Sequence, residues 1–100
     1  MIRHILFVRF KSDASLQSIA EVQAAFKEMP SKVEGIVDVE WGENNSPENK
    51  NKGFTHCILM TFISENARDN YLPHPEHSAL KEVFGAILDE IIVLDYSFSE

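Results

Sequence analysis

The stretch Tyr71-Leu72-Pro73-His74-Pro75-Glu76-His77 sets the organisation of the second half of the chain. Each proline locks its own φ and drives the residue before it out of the helical region. A helix ending near Tyr71 therefore breaks at Leu72 and Pro73. Pro75 suits the first position of a new helix, and Glu76 in its first turn complements the helix dipole. From His77 the apolar residues Leu80, Phe84 and Ile87 follow at spacings of three, four and three. That pattern predicts a helix from Pro75 to about Leu88 with His77 on its buried stripe. A short helix over 65–71 is expected before the break.

Upstream of this pair of helices, Phe54 to Phe62 is the most apolar run. His56, Ile58, Met60 and Phe62 share one face and Cys57, Leu59 and Thr61 the other, so both faces call for burial and the strand is expected to be central. Downstream, Ile91 to Phe98 reads as a strand with Ile92, Leu94, Tyr96 and Phe98 on one face and Ile91, Val93, Asp95 and Ser97 on the other. At the N-terminal end, residues 2–10 alternate His4, Leu6, Val8 and Phe10 against Arg3, Ile5, Phe7 and Arg9, a first strand. A helix from about Ser15 to Glu28 follows, with Asp13 or Ser15 available as its cap and Ile19, Val22, Phe26 and Met29 as its apolar stripe. Pro30 is expected to end it. Ile36 to Gly42 alternates Val37, Val39 and Trp41 against Asp38 and Glu40, a strand with one wet side, and Glu43 to Gly53 is all turn chemistry and reads as a loop.

The order βαββαβ predicts an α+β, ferredoxin-like fold: an antiparallel or mixed four-stranded sheet with helices on one face, strands 1 and 3 forming a parallel central pair. One hundred residues predict a single domain, 1–100. The helices cover one side of the sheet, leaving Ile5, Phe7, Cys57, Leu59, Ile91 and Val93 for the other. A monomer does not usually expose so large an apolar patch, so a homodimer through the open sheet face is expected.

Composition narrows the partners. A formal charge of −7 and a pI near 5.0 argue against nucleic acid, which selects a basic patch. The one cysteine, Cys57, lies inside an apolar run and reads as a buried thiol in a reducing compartment. The N-terminal run is too short and too interrupted by charge for a signal peptide, and no stretch reaches the ~20 apolar residues of a membrane span. A cytoplasmic location and no membrane partner are expected. The sequence has no glycine-rich phosphate loop and no nucleophile elbow, so no cofactor is expected.

Several segments together resemble the stress-responsive dimeric A/B barrel (Dabb) family: Ile2-Arg3-His4-Ile5, Trp41-Gly42-Glu43-Asn44 with Ser46-Pro47, Gly53-Phe54-Thr55-His56, Tyr71 to His77, and Val93-Leu94-Asp95-Tyr96. The resemblance spans nearly the whole chain and implies a dimer whose two sheets close into a barrel. Its best-defined catalytic member type is the plant polyketide cyclase that makes olivetolic acid by a cofactor-free aldol cyclisation. The resemblance implies that Tyr71 and His77 match the tyrosine and histidine that do the acid/base work there, and that His4 and His56 match two further pocket histidines.

His77 and Tyr71 are thus the candidate catalytic pair: a neutral imidazole to take a proton from an acidic carbon, a phenol to hydrogen-bond the developing enolate oxygen. The plainer alternative is a histidine that satisfies a buried polar network beside a packed tyrosine. His4 and His56, near the starts of two neighbouring strands expected to run parallel, would line one cavity with His77. Leu6, Val8, Ile58 and Phe26 would supply its apolar lining for a small apolar or aromatic ligand. His74, wedged between prolines, reads as a conformational residue. His74, Glu76, His77, His4 and His56 are the residue types of a zinc site, but the helical His-Glu-x-x-His pattern is absent and Pro75 obstructs a joint approach, so no metal is expected. Three functions fit: a cofactor-independent cyclase or isomerase, a non-catalytic stress or binding protein, and a cofactor-free quinol monooxygenase.

Overall fold

Alternation in residues 2–10 and the aromatic and β-branched content of 56–62 place two strands side by side at the middle of a four-stranded sheet. The structure, a computed structural model, describes residues 1–99. Its elements are β1 (Ile2–Phe10), α1 (Leu16–Lys32), β2 (Ile36–Glu43), β3 (His56–Phe62), α2 (Glu65–Tyr71), α3 (Pro75–Gly85) and β4 (Leu88–Ser97), with sheet order β2-β3-β1-β4. The fold is α+β and ferredoxin-like, with the helices on one face of the sheet.

The central strands run antiparallel, contrary to the parallel pair expected: Ile2 lies opposite Phe62 and Val8 opposite His56. The topology requires it. The α1 crossover carries the chain past one strand position, β2 and β3 pair antiparallel, and β3 then fills the gap beside β1. Every neighbouring pair in the sheet is antiparallel.

Register also reassigns the two faces of β4. Phe7 pairs with Ile92, Ile5 with Leu94 and Arg3 with Tyr96, so Ile92, Leu94 and Tyr96 belong to the open face. Ile91, Val93 and Asp95 pair with Val8, Leu6 and His4 and face the helices, the reverse of the expected placement of Ile91 and Val93. Both rows of β4 are apolar, and only its pairing partner decides between them. In β2 a bulge between Ile36 and Asp38 leaves Val37 exposed, and Ile36 takes the buried place expected for Val37.

Ser15 caps α1 by accepting from the Ser18 amide, and the helix continues through Pro30 to Lys32. It does not stop at Pro30 because that proline lies in the last turn: it removes one amide there, while the Val33 amide still closes onto the Met29 carbonyl. Ser64 caps α2, whose bounds are those expected. Leu72, however, keeps helical angles (φ −57, ψ −43) because its amide still closes onto the Arg68 carbonyl, contrary to the expectation that Pro73 drives it out of the helical region. Helix α3 stops at Gly85, before the expected Leu88, because β4 begins there; β3 begins at His56, later than Phe54. Val22, Phe26 and Met29 of α1 and Leu80 and Phe84 of α3 bury against Val8, Ile58, Met60 and Phe62 of the sheet. Each such side chain contributes roughly 1.5–3 kcal/mol. Gly35, at φ +92, marks a close approach: a Cβ there would sit 2.5 Å from that of Ala67 on α2. This contact seats α2 against the β2 end of the sheet and so fixes where Tyr71 falls.

Candidate functional site

The prolines leave an unusual hydrogen-bond pattern between α2 and α3. The His74 amide donates to the Tyr71 carbonyl at 2.9 Å. The Glu76 amide, which in a continuous helix would reach the Leu72 carbonyl, donates to His74 Nδ1 at 3.0 Å. His74 is therefore the cap of α3, the conformational part expected of it. The Leu72 carbonyl is left to His77, whose Nδ1 donates to it at 2.8 Å. A carbonyl only accepts, so Nδ1 carries the proton and Nε2 keeps its lone pair.

On β1, His4 is held in the same way. Its Nδ1 donates to Asp95 on β4 at 2.7 Å, and the other Asp95 oxygen accepts from Arg68 of α2 at 2.8 Å. Asp95 and Arg68 were not among the expected site residues. The available signal was a lone carboxylate in the apolar run Ile91 to Tyr96, obscured by assigning Asp95 to the wrong face. Between the two imidazoles lies Tyr71, almost wholly buried, its ring 4.2 Å from that of His77 and 6.4 Å from that of His4, centre to centre.

These three side chains line a cavity of about 370 Å³ between sheet and helices. Leu6 and Phe26 line it, together with Leu80 and Phe84 from α3 and Leu88, Ile91 and Val93 from β4. Of the residues expected to meet a ligand, the structure brings together His4, Leu6, Phe26, Tyr71 and His77. Val8 and Ile58 are fully buried beneath the helices and do not reach the cavity wall. His56 is also elsewhere. Because β1 and β3 are antiparallel, it pairs with Val8 at the far end of the sheet, packs against Phe10 and Trp41, and takes a 2.7 Å hydrogen bond between Nδ1 and Thr55 Oγ1. Among the described residues, no group of three or more His, Cys, Asp or Glu side chains is placed to hold a metal ion, and no helix is long and apolar enough to cross a membrane.

Burial sets the protonation of the pair. It pushes the Tyr71 phenol far above its usual range, so the hydroxyl is a donor at every ordinary pH. His77 is held below its ordinary value, first by burial and further by the nearby Lys81 and His4 charges, against an opposing push from the Leu72 carbonyl. At neutral pH the site thus presents a neutral imidazole base beside a protonated phenol. Cys57 is half-buried beside Phe7 on the open face and not the buried thiol expected, because no helix covers that side. Its partial burial pushes the thiol up, away from the thiolate a nucleophile needs.

The lowered His77 value has a consequence for stability. Below about pH 6.5 the unfolded chain takes up this proton more readily than the folded one, so folding stability falls as pH drops through that value and is unaffected above it. Urea unfolding followed from pH 7.5 to 5 is expected to show a shallower acid decline in His77→Gln than in the wild type. His56, also held low by burial, contributes equally to both proteins and cancels. Identical slopes would contradict this assignment.

Residues 2–98 match the Stress responsive A/B Barrel Domain family, Dabb. The stress-response A/B barrel domain-containing protein HS1 of Arabidopsis thaliana is 32% identical over 95 residues, spanning 95% of this chain and 87% of that protein. Olivetolic acid cyclase of Cannabis sativa is 24% identical over 96 residues, spanning 96% of this chain and 95% of the cyclase. Among solved structures, a hydroxynitrile lyase from Passiflora edulis superposes with a TM-score of 0.91 at 29% identity, covering 99% of this chain and 94% of the lyase. With the match running from the first strand to the last, the chain belongs to the stress-responsive A/B barrel (Dabb) family.

Proposed function

We propose that this protein binds a small apolar or aromatic carbonyl compound in the cavity between sheet and helices and moves a proton on it without a cofactor. His77 Nε2 is the base, and the Tyr71 hydroxyl donates to the oxygen on which charge develops. One observation carries the reading: an imidazole whose proton is committed to the Leu72 carbonyl lies against a buried phenol in an apolar cavity. Its volume of about 370 Å³ lies in the range of small-molecule sites. His4, turned by Asp95, leaves its own Nε2 for the ligand or for a proton passed on from it. Ring closure in a cyclase calls on a base and a donor to the developing oxygen. Breakdown of a hydroxynitrile calls on a base for the hydroxyl proton as cyanide leaves with the carbon–carbon bonding pair, so both relatives support a proton-moving base here.

The test uses benzoylacetone as the binding probe and mandelonitrile cleavage to benzaldehyde and hydrogen cyanide, followed by the ultraviolet absorbance of the aldehyde, as the reaction probe. The wild type is expected to gain thermal stability with benzoylacetone and to accelerate cleavage. Tyr71→Phe, which removes only the hydroxyl, is expected to fold normally and to lose at least tenfold in rate, as is His77→Gln, consistent with a general acid–base contribution of about 10²–10⁴. Stabilisation by the ligand without rate enhancement would leave a binding protein, and no stabilisation by any such ligand would overturn the reading.

The working unit of this proposal is a homodimer joined through the open sheet face. Phe7, Ile92, Leu94 and Tyr96 there remain 37–51% exposed in the single chain, side by side across β1 and β4. Light scattering is expected to give twice the chain mass of 11.4 kDa, and Leu94→Glu is expected to give single chains. A wild-type mass of one chain at micromolar concentration would contradict the dimer.

A further inference from the structure

The chain carries sixteen acidic and nine basic side chains, a net excess of seven negative charges. The cavity is an exception. Its wall holds His4, His77 and Lys81 and, among the described residues, no carboxylate. Lys81 lies one helical turn beyond His77 on α3, so the two side chains project from the same side of the helix. Lys81 is exposed, whereas Tyr71 and Leu80 are buried, which places the ammonium at the mouth of the cavity and the phenol inside it.

Its charge is also uncommitted. Arg9, Lys32 and Arg68 pair with carboxylates, and Lys11 and Lys27 donate to backbone carbonyls. Among the described residues Lys81 has no such partner. Its field is nonetheless felt inside, since it contributes to holding His77 neutral.

We infer that the cavity selects ligands bearing an anionic oxygen group, a carboxylate in the simplest case, which pairs with Lys81 at the mouth while an apolar body fills the interior. This rests on the proposed small-molecule cavity and adds the chemical class of what enters it. A carboxylate at the mouth leaves the uncharged end of the molecule against Tyr71 and His77, so Lys81 sets orientation as well as selectivity. The net negative charge of the protein reinforces the choice. An anion is disfavoured over most of the surface, and at this mouth it meets a cation with no carboxylate in the cavity wall. Lys81 touches no reacting atom in this arrangement and is a specificity residue, not a catalytic one.

The test compares benzoylpropionate with its uncharged amide, benzoylpropionamide, by calorimetry at pH 8, well above the ordinary histidine value of about 6.5. The wild type is expected to bind the acid about three- to fivefold more tightly than the amide, the range of a partly exposed ion pair, with the preference shrinking in added salt. In Lys81→Met the two ligands are expected to bind equally, with the amide unchanged. In Lys81→Arg the preference is expected to persist, and in Lys81→Glu to reverse. Equal binding of acid and amide by the wild type, or a preference that survives Lys81→Met, would overturn this inference and leave the cavity reading standing. Failure of both ligands to bind the wild type and every variant would overturn both.

Discussion

The hydrogen bond from His77 Nδ1 to the Leu72 carbonyl is the contact on which the site depends. In an unbroken helix that carbonyl would accept from the Glu76 amide. Here the amide is taken by His74, whose side chain serves as the cap because Pro75 pushes the residue before it out of the helical region, to φ −64 and ψ 139. The carbonyl so released commits the proton of His77 to one ring nitrogen and leaves the lone pair on the other. A single backbone break thereby supplies the helix start, the capping group and the tautomer of the base.

A comparable arrangement on the sheet side ties His4 to Asp95 and Asp95 to Arg68, joining β1, β4 and α2. The two imidazoles are fixed by different acceptors, a neutral carbonyl and a carboxylate. The difference has chemical weight. His77 has only a neutral carbonyl as partner and a burial cost that opposes its charge. A proton taken up at His77 is therefore held weakly, and the Tyr71 ring packs near both imidazoles.

Much of this was legible in the sequence because it rests on local rules. The proline break, the α3 stripe through Leu80 and Phe84, the Ser15 cap and the buried row of β1 each follow from spacing or residue type within about a dozen positions. What failed was non-local. The direction of β3 against β1 depends on how the α1 crossover and the β2–β3 connection combine, and taking it as parallel put His56 beside His4 when the two lie at opposite ends of the sheet. The parity of β4 was undetermined because Ile92 and Leu94 are as apolar as Ile91 and Val93; its pairing with β1 resolves it and brings Asp95 to His4. The bulge at Val37 and the passage of α1 through Pro30 are tertiary choices over local propensity. Lys81 could not be recognised at all, since a lysine on the exposed edge of a helix gains meaning only from the cavity beside it.

The most direct measurement of the central claim is nitrogen NMR of the histidine side chains at pH 7.5, through the two-bond couplings that distinguish the ring nitrogens. The account predicts that His77 carries its proton on Nδ1, with an Nε2 signal of the unprotonated type that moves when benzoylacetone is added. A His77 ring protonated on Nε2, or one averaging between tautomers and insensitive to the ligand, would contradict it.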